Sequence, residues 1–216
     1  MSANPGAMGA VRRRPVQRRS AERVERILDS CAGLLDETGY RGLTTKEVAR
    51  RAGVPIGTLY QFFASKESLV SALAARNLDR YLERLAKRFA AESPDRVAAV
   101  VDLAVEEFVA MKRAVPGFGV VDFGAGGRAD AGLVEDDHVL DAAVDNNTAV
   151  AARLRVLVGG LLGAADLPEL EVAGRVALEC ADAVLKLAFR NDPDGDPVLI
   201  AECKRVLRCY LEDRFA

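Results

Sequence analysis

Residues 43–63, LTTKEVARRAGVPIGTLYQFF, decide the fold. They read as two short helices on either side of a tight turn. Thr44 or Thr45 starts the first as its N-cap, and Glu47 close behind suits the positive end of the helix dipole. Val48 and Ala49 face inward. Ala52-Gly53 supplies the turn, because glycine adopts a left-handed backbone without a Cβ clash. The second helix begins near Ile56. Leu59 and Phe63, one turn apart, hold it against its support. Ile56, Thr58, Tyr60 and Gln61 are left on the opposite face. Two short helices joined in this way form a helix-turn-helix, whose second member enters the major groove of DNA.

Outward from this motif the chain stays helical. Upstream, Val24, Ile27, Leu28, Cys31, Leu34 and Leu35 recur at three- and four-residue steps, the mark of one buried stripe. Ser20 is the expected N-cap of that helix and Gly39 its stop. Residues 1–19 lack apolar periodicity and are expected to form a disordered basic arm, either a plain tail or a reader of the minor groove. Downstream, Ser65 is the expected N-cap of a long helix. The Ser65-x-x-Ser68 pair lacks the acidic partner of a capping box, although Glu67 suits the dipole.

With those flanking helices in place, residues 20–75 resemble the DNA-binding domain of the TetR family of bacterial transcriptional regulators. The elements that carry the resemblance are Gly39-Tyr40, Thr44-Thr45, Val48-Ala49, Ala52-Gly53-Val54, Gly57-Thr58-Leu59-Tyr60, Phe63 and Lys66-Glu67-x-Leu69. The resemblance implies a role for each matching residue. Thr44 or Thr45 would donate to a backbone phosphate. Gly57 would let the recognition helix lie close to DNA. Thr58 and Gln61 would reach base edges, glutamine pairing with adenine and threonine offering its methyl to thymine. Tyr60 and Lys66 would hold phosphates, which positions the protein without reading sequence. Ile56 stands where a polar residue is common in the family, so a base contact, a thymine-methyl contact and a plain exposed hydrophobe all remain open. Pro55 replaces a capping serine, and Phe62 replaces a tyrosine whose hydroxyl would meet phosphate.

The charge distribution agrees with this division of the chain. Net charge is −2, which by itself argues against a polyanion partner. Residues 1–66, however, hold 12 basic and 6 acidic side chains, a balance of +6. Residues 67–216 hold 18 basic and 26 acidic side chains, a balance of −8. A basic third that meets nucleic acid and an acidic remainder that stays off it account for both numbers.

Several function classes find no support. No apolar run reaches the ~20 residues of a membrane span, and no apolar region follows the N-terminal arginines as a secretory signal requires. A soluble cytoplasmic protein is expected. Cys31, Cys180, Cys203 and Cys209 form no C-x-x-C pair, and His138 is the sole histidine, so a zinc set is excluded. Reduced, buried thiols are expected, with a redox switch at Cys180, Cys203 or Cys209 as the other reading. The turn NDPDGDP at 191–197 lacks the acid spacing of a calcium loop. Neither a nucleophile–base pair nor a cofactor loop is present, so neither an enzyme nor a cofactor is expected.

The expected architecture is therefore all-α. A helix-turn-helix domain over 20–66, with its connecting helix running to about 75, precedes a helical effector-binding and dimerisation domain over 67–216. Helices are expected near 97–113, 139–162, 168–189 and 197–211, with an irregular glycine-rich segment over 117–132. The last two offer apolar stripes for pairing with a second copy: Val172, Val176, Cys180, Ala183 and Leu187, then Leu199, Cys203, Val206 and Tyr210. Part of each stripe belongs to the intrachain core. Phe108, Met111, Phe118, Phe123, His138 and Asn147 are the expected lining of a pocket for a small apolar effector. The mechanism expected is a homodimer on a near-palindromic DNA operator, released by ligand. Binding without ligand control, and activation in place of repression, are the alternatives.

Overall fold

Apolar spacing on the first helix organises the N-terminal part of the molecule. The computed structural model describes residues 14–121, 151–156 and 168–215. Helix α1 spans Arg14–Gly42 and buries Ile27, Cys31 and Leu35 completely. It begins six residues before Ser20, so residues 14–19 are helix and not arm. The cause is local. Arginine and glutamine are good helix formers, and Pro15 in the first turn has no helical amide to give up. Arg18 donates to Glu22 at 2.9 Å, one turn on. Residues 1–13 lie outside the described part. Gly39, with φ 65°, breaks the helix where the sequence places its end.

Helices α2 (Thr45–Arg51) and α3 (Ile56–Phe62) follow. Thr44 is the N-cap of α2, its hydroxyl accepting from the Glu47 amide at 3.2 Å. Gly53, φ 65°, makes the turn between them. Helix α4 (Lys66–Glu92) starts at a full capping box in which the Ser68 hydroxyl does what a carboxylate usually does. It accepts from the Ser65 amide at 2.9 Å, while Ser65 Oγ accepts from the Ser68 amide at 3.2 Å.

Helix α4 serves two cores. Its first half, with Leu69, Val70 and Leu73, closes the cluster of α1, α2 and α3. Its second half, with Leu78, Tyr81, Leu85 and Phe89, packs on α5 (Val97–Ala114). After α5 the chain turns over residues 117–121 and lands back on the first domain. Val121 is fully buried in that domain's core. Gly117 is held at φ 75°, and a Cβ there would stand 2.8 Å from Ala32 Cα. Asn77, also fully buried, donates to the Val121 carbonyl at 2.8 Å.

Residues 151–156 are helical (α6) and are the described part of the helix expected over 139–162. Helices α7 (Pro168–Ala188) and α8 (Pro197–Phe215) form an antiparallel hairpin over the NDPDGDP turn. Gly195 takes φ 80° there, and Asp196 caps α8 by accepting from the Val198 amide at 2.8 Å. Helix α8 runs to Phe215, four residues past the expected end. A third core joins α5, α7 and α8 through Val101, Val105, Val109, Leu185, Cys203 and Leu207. Ion pairs tie α5 to α4 and α8: Glu106 meets Arg88 of α4 at 3.0 Å and Lys204 of α8 at 2.7 Å, and Asp102 meets Arg208 of α8. The described residues contain helices and no strand, as an all-α chain requires. No described helix is long and apolar enough to cross a membrane.

Candidate nucleic-acid interface

Leu59, fully buried, and Phe63 anchor α3, so its other side faces outward. Ile56 is 42% exposed and Tyr60 50% exposed, and Gln61 is exposed with them. Thr58 is half-buried at the margin of this face. Gly57 is exposed, and nothing in the chain lies within 4 Å of where its Cβ would stand. The fold itself therefore does not require glycine at this position.

The two short helices are tied at their outer surface. Thr45 Oγ1 and the Tyr60 hydroxyl lie 3.0 Å apart. This bond sets the pitch of α3 against the start of α2 and fixes a tyrosine that would otherwise sample several rotamers. Thr44 and Thr45 thus divide the work that the sequence leaves shared: Thr44 caps α2, and Thr45 holds Tyr60. Pro55 provides no side-chain cap for α3; its carbonyl accepts from the Thr58 amide at 2.9 Å instead. Phe62 packs against the domain core.

Lys66 has partners inside the domain. Its ammonium donates to the Tyr40 carbonyl at 2.5 Å and sits 4.0 Å from the centre of the Tyr40 ring. It closes the end of α1 onto the start of α4, so its charge is engaged within the domain.

The carboxylates of the first 66 residues are all used internally. Glu22 pairs with Arg18, Glu37 with Arg51 at 2.5 Å and Glu47 with Arg50 at 2.5 Å. Glu25 and Asp29 take Arg76 at 3.2 and 2.7 Å. Asp36 accepts from the Gly117 amide at 2.9 Å. The Arg51 bond holds the Glu37 carboxyl below its ordinary range, and the Arg50 bond does the same for Glu47. Arg41 and Lys46 are exposed, with no carboxylate in ion-pair reach among the described residues. The sequence motif marks neither as a site residue, although the surplus of bases over acids in this segment is the available signal.

In the second domain, Phe108, Met111 and Phe118 pack into one cluster. Met111 and Phe118 are fully buried, and the Phe108 and Phe118 rings meet edge-on with centroids 5.4 Å apart. Phe123, His138 and Asn147 lie outside the described residues. On α7, Val172, Val176, Ala183 and Leu187 are exposed and Cys180 is half-buried. On α8, Val206 is exposed and Leu199 and Tyr210 are half-buried. Cys203 is a correction: it is 1% exposed and belongs to the core between α5, α7 and α8, on the inward face that it shares with Leu207 one turn on. Val198, 67% exposed, joins the outer face in its place. A shallow groove lined by Arg205, Val206, Cys209, Tyr210 and Asp213 runs along the same face. All four cysteines are free thiols, and burial pushes Cys31 up to about 12 and Cys203 up to about 11. Neither of these two is a ready thiolate.

Comparison with known proteins follows the same division. Residues 27–73 match the model described as bacterial regulatory proteins, tetR family. Residues 95–215 match a tetracyclin repressor-like C-terminal domain. A TetR-family transcriptional regulator from Streptomyces coelicolor superposes with a TM-score of 0.76 at 41% identity, over 88% of this chain and 98% of that one. The transcriptional repressor KstR of Rhodococcus jostii is 42% identical over 59 residues, 27% of this chain and 28% of that protein. The class D tetracycline repressor of Escherichia coli is 40% identical over 57 residues, 26% of each. The chain therefore matches about a quarter of the length of these curated relatives.

Proposed function

The chain belongs to the TetR family of DNA-binding transcriptional regulators, and from that premise we propose that it is a repressor, binding a near-palindromic operator as a homodimer and leaving it when a small apolar ligand enters the helical domain. The observation that carries this reading is the outer face of α3. Ile56, Gly57, Tyr60 and Gln61 are exposed, and Tyr60 is tethered to Thr45 at 3.0 Å. Gln61 and Thr58 read base edges. Tyr60, Thr44 and Thr45 set the register on phosphates.

Two such helices must lie about 34 Å apart to enter successive major grooves, which a two-fold dimer provides. Val172, Val176, Leu187, Val198 and Val206 are the exposed apolar surface on α7 and α8 that such pairing would cover. The ligand would meet Phe108, Met111 and Phe118, which pack together in the helical domain. Release then runs along two connections: α4, which is shared by both cores, and the 117–121 turn seated on α1. A ligand that favours a different seat for either shifts the separation of the recognition helices. Binding is tested by mobility shift of DNA from the chain's own upstream region at about 0.1 M salt, a range where phosphate contacts weigh heavily. A discrete band that resists excess unrelated duplex supports the reading, and its absence opposes it.

A further inference from the structure

We propose that α1 carries a second DNA-backbone track, made of Arg19, Arg23 and Arg26, which extends the operator contact beyond the recognition helix. The proposal rests on the operator reading and deepens it.

Helix α1 sorts its charges by flank. Arg19, Arg23 and Arg26 stand at i, i+4 and i+7, within an arc of roughly 60° on a 3.6-residue helix. Arg19 and Arg26 are exposed and Arg23 is half-buried, and none has a carboxylate in ion-pair reach among the described residues. The acids of the helix are spent elsewhere. Glu25 and Asp29 face α4, where they hold Arg76 and Arg80. Thus one flank is neutralised by α4, and the opposite flank keeps its charge.

The free flank points to the helix-turn-helix side. Continuing the row by seven and eleven residues from Arg26 reaches Gly33 and Glu37. A Cβ on Gly33 would stand 3.6 Å from the Arg51 guanidinium, and Glu37 pairs with Arg51. The face that carries the row therefore continues along α1 and meets α2 beyond Arg26, at Gly33 and Glu37. Over seven residues the row is about 10 Å long at 1.5 Å rise per residue. That length is enough to meet two or three phosphates, which advance ~3.4 Å along the duplex axis per residue of one strand. A row of arginines with no ion-pair partner among the described residues, on the helix that carries α2, is suited to release counterions and carries no sequence information.

The test uses the full-length wild type to select duplexes from a random library. Binding to the selected duplex is then measured between about 0.05 and 0.2 M salt. Arg19→Gln, Arg23→Gln and Arg26→Gln, singly and together, remove charge while keeping a good helix former. For every arginine–phosphate pairing that a substitution abolishes, the slope of log K against log salt is expected to flatten by about 0.9. The selected sequence is expected to stay the same, with protection disappearing only at outer phosphates. A wild-type slope and footprint in the triple variant, with its helix content intact by circular dichroism, overturns the proposal. So does an equal flattening by Arg190→Gln, an exposed charge outside α1 in the α7–α8 turn, since that would be bulk charge alone. If the wild type enriches no sequence, the operator reading itself falls and takes this one with it. That outcome differs from a flank that proves silent on an operator that binds.

Discussion

Asp36 on α1 accepts a hydrogen bond from the backbone amide of Gly117, 81 positions later, at 2.9 Å. The bond pins the turn after α5 to the DNA-binding domain. Gly117 sits at φ 75° with Ala32 pressed against it, so no side chain fits there. Gly117→Ala combines a left-handed backbone with a clash on main chain. It is expected to cost about 1–3 kcal/mol of stability, read by urea denaturation. Asp36→Ala removes the tether without the clash. It is expected to cost less, and to weaken the response of DNA binding to ligand more than DNA binding itself.

The Thr45–Tyr60 hydroxyl pair separates positioning from reading. Tyr60→Phe keeps the ring and loses the tether, so affinity is expected to fall about fivefold with the preferred sequence unchanged, the equivalent of ~1 kcal/mol for one hydrogen bond. Gln61→Ala is expected to relax preference at a single base pair, by about 1–3 kcal/mol. Selection from a random duplex library distinguishes the two.

Val176 and Val206 are 40% and 43% exposed, too apolar a pair to leave in water beside Val172, Leu187 and Val198. Val176→Asp and Val206→Asp are expected to yield monomers by analytical ultracentrifugation with helix content unchanged. Operator affinity should collapse in both, because one half-site cannot hold the protein alone.

Acid is expected to loosen the junction of α4, α5 and α8. Bonds from Lys204 and Arg88 hold the Glu106 carboxyl below its ordinary range. A depressed carboxyl contributes stability above its unfolded value, ~4.3 for glutamate, and loses it as pH falls through the folded value. This contribution is thus constant from pH 7 down to about 5 and fades below about 4. Glu106→Gln should flatten that part of the denaturation profile against pH, and leave the neutral part parallel to wild type.

The helix-turn-helix is legible in the sequence because its signals are local. Thr44, Gly53, Leu59 and Ser65 each act through neighbours within one turn, and the sequence places them within a residue of the structure. Long-range partnerships are not legible. The motif gives no sign that Lys66 also donates to the Tyr40 carbonyl, 26 positions earlier. Cys203 reads as interface until α5 is seen beneath it. Nothing near Gly117 announces that its partner is Ala32, since the two meet only through the folded turn. The start of α1 is misplaced from sequence because Ser20 is a good cap in isolation, while helix propensity and the Arg18–Glu22 pair carry the helix past it.

The central claim is that α3 reads a specific operator. Competition binding with the library-selected duplex measures it most directly, at about 0.1 M salt and against unrelated DNA. The account predicts a preference of at least ~10³ for the selected site, abolished when Tyr60 and Gln61 are both replaced by alanine. Equal affinity for selected and unrelated duplexes, or a preference that survives the double replacement, would contradict it.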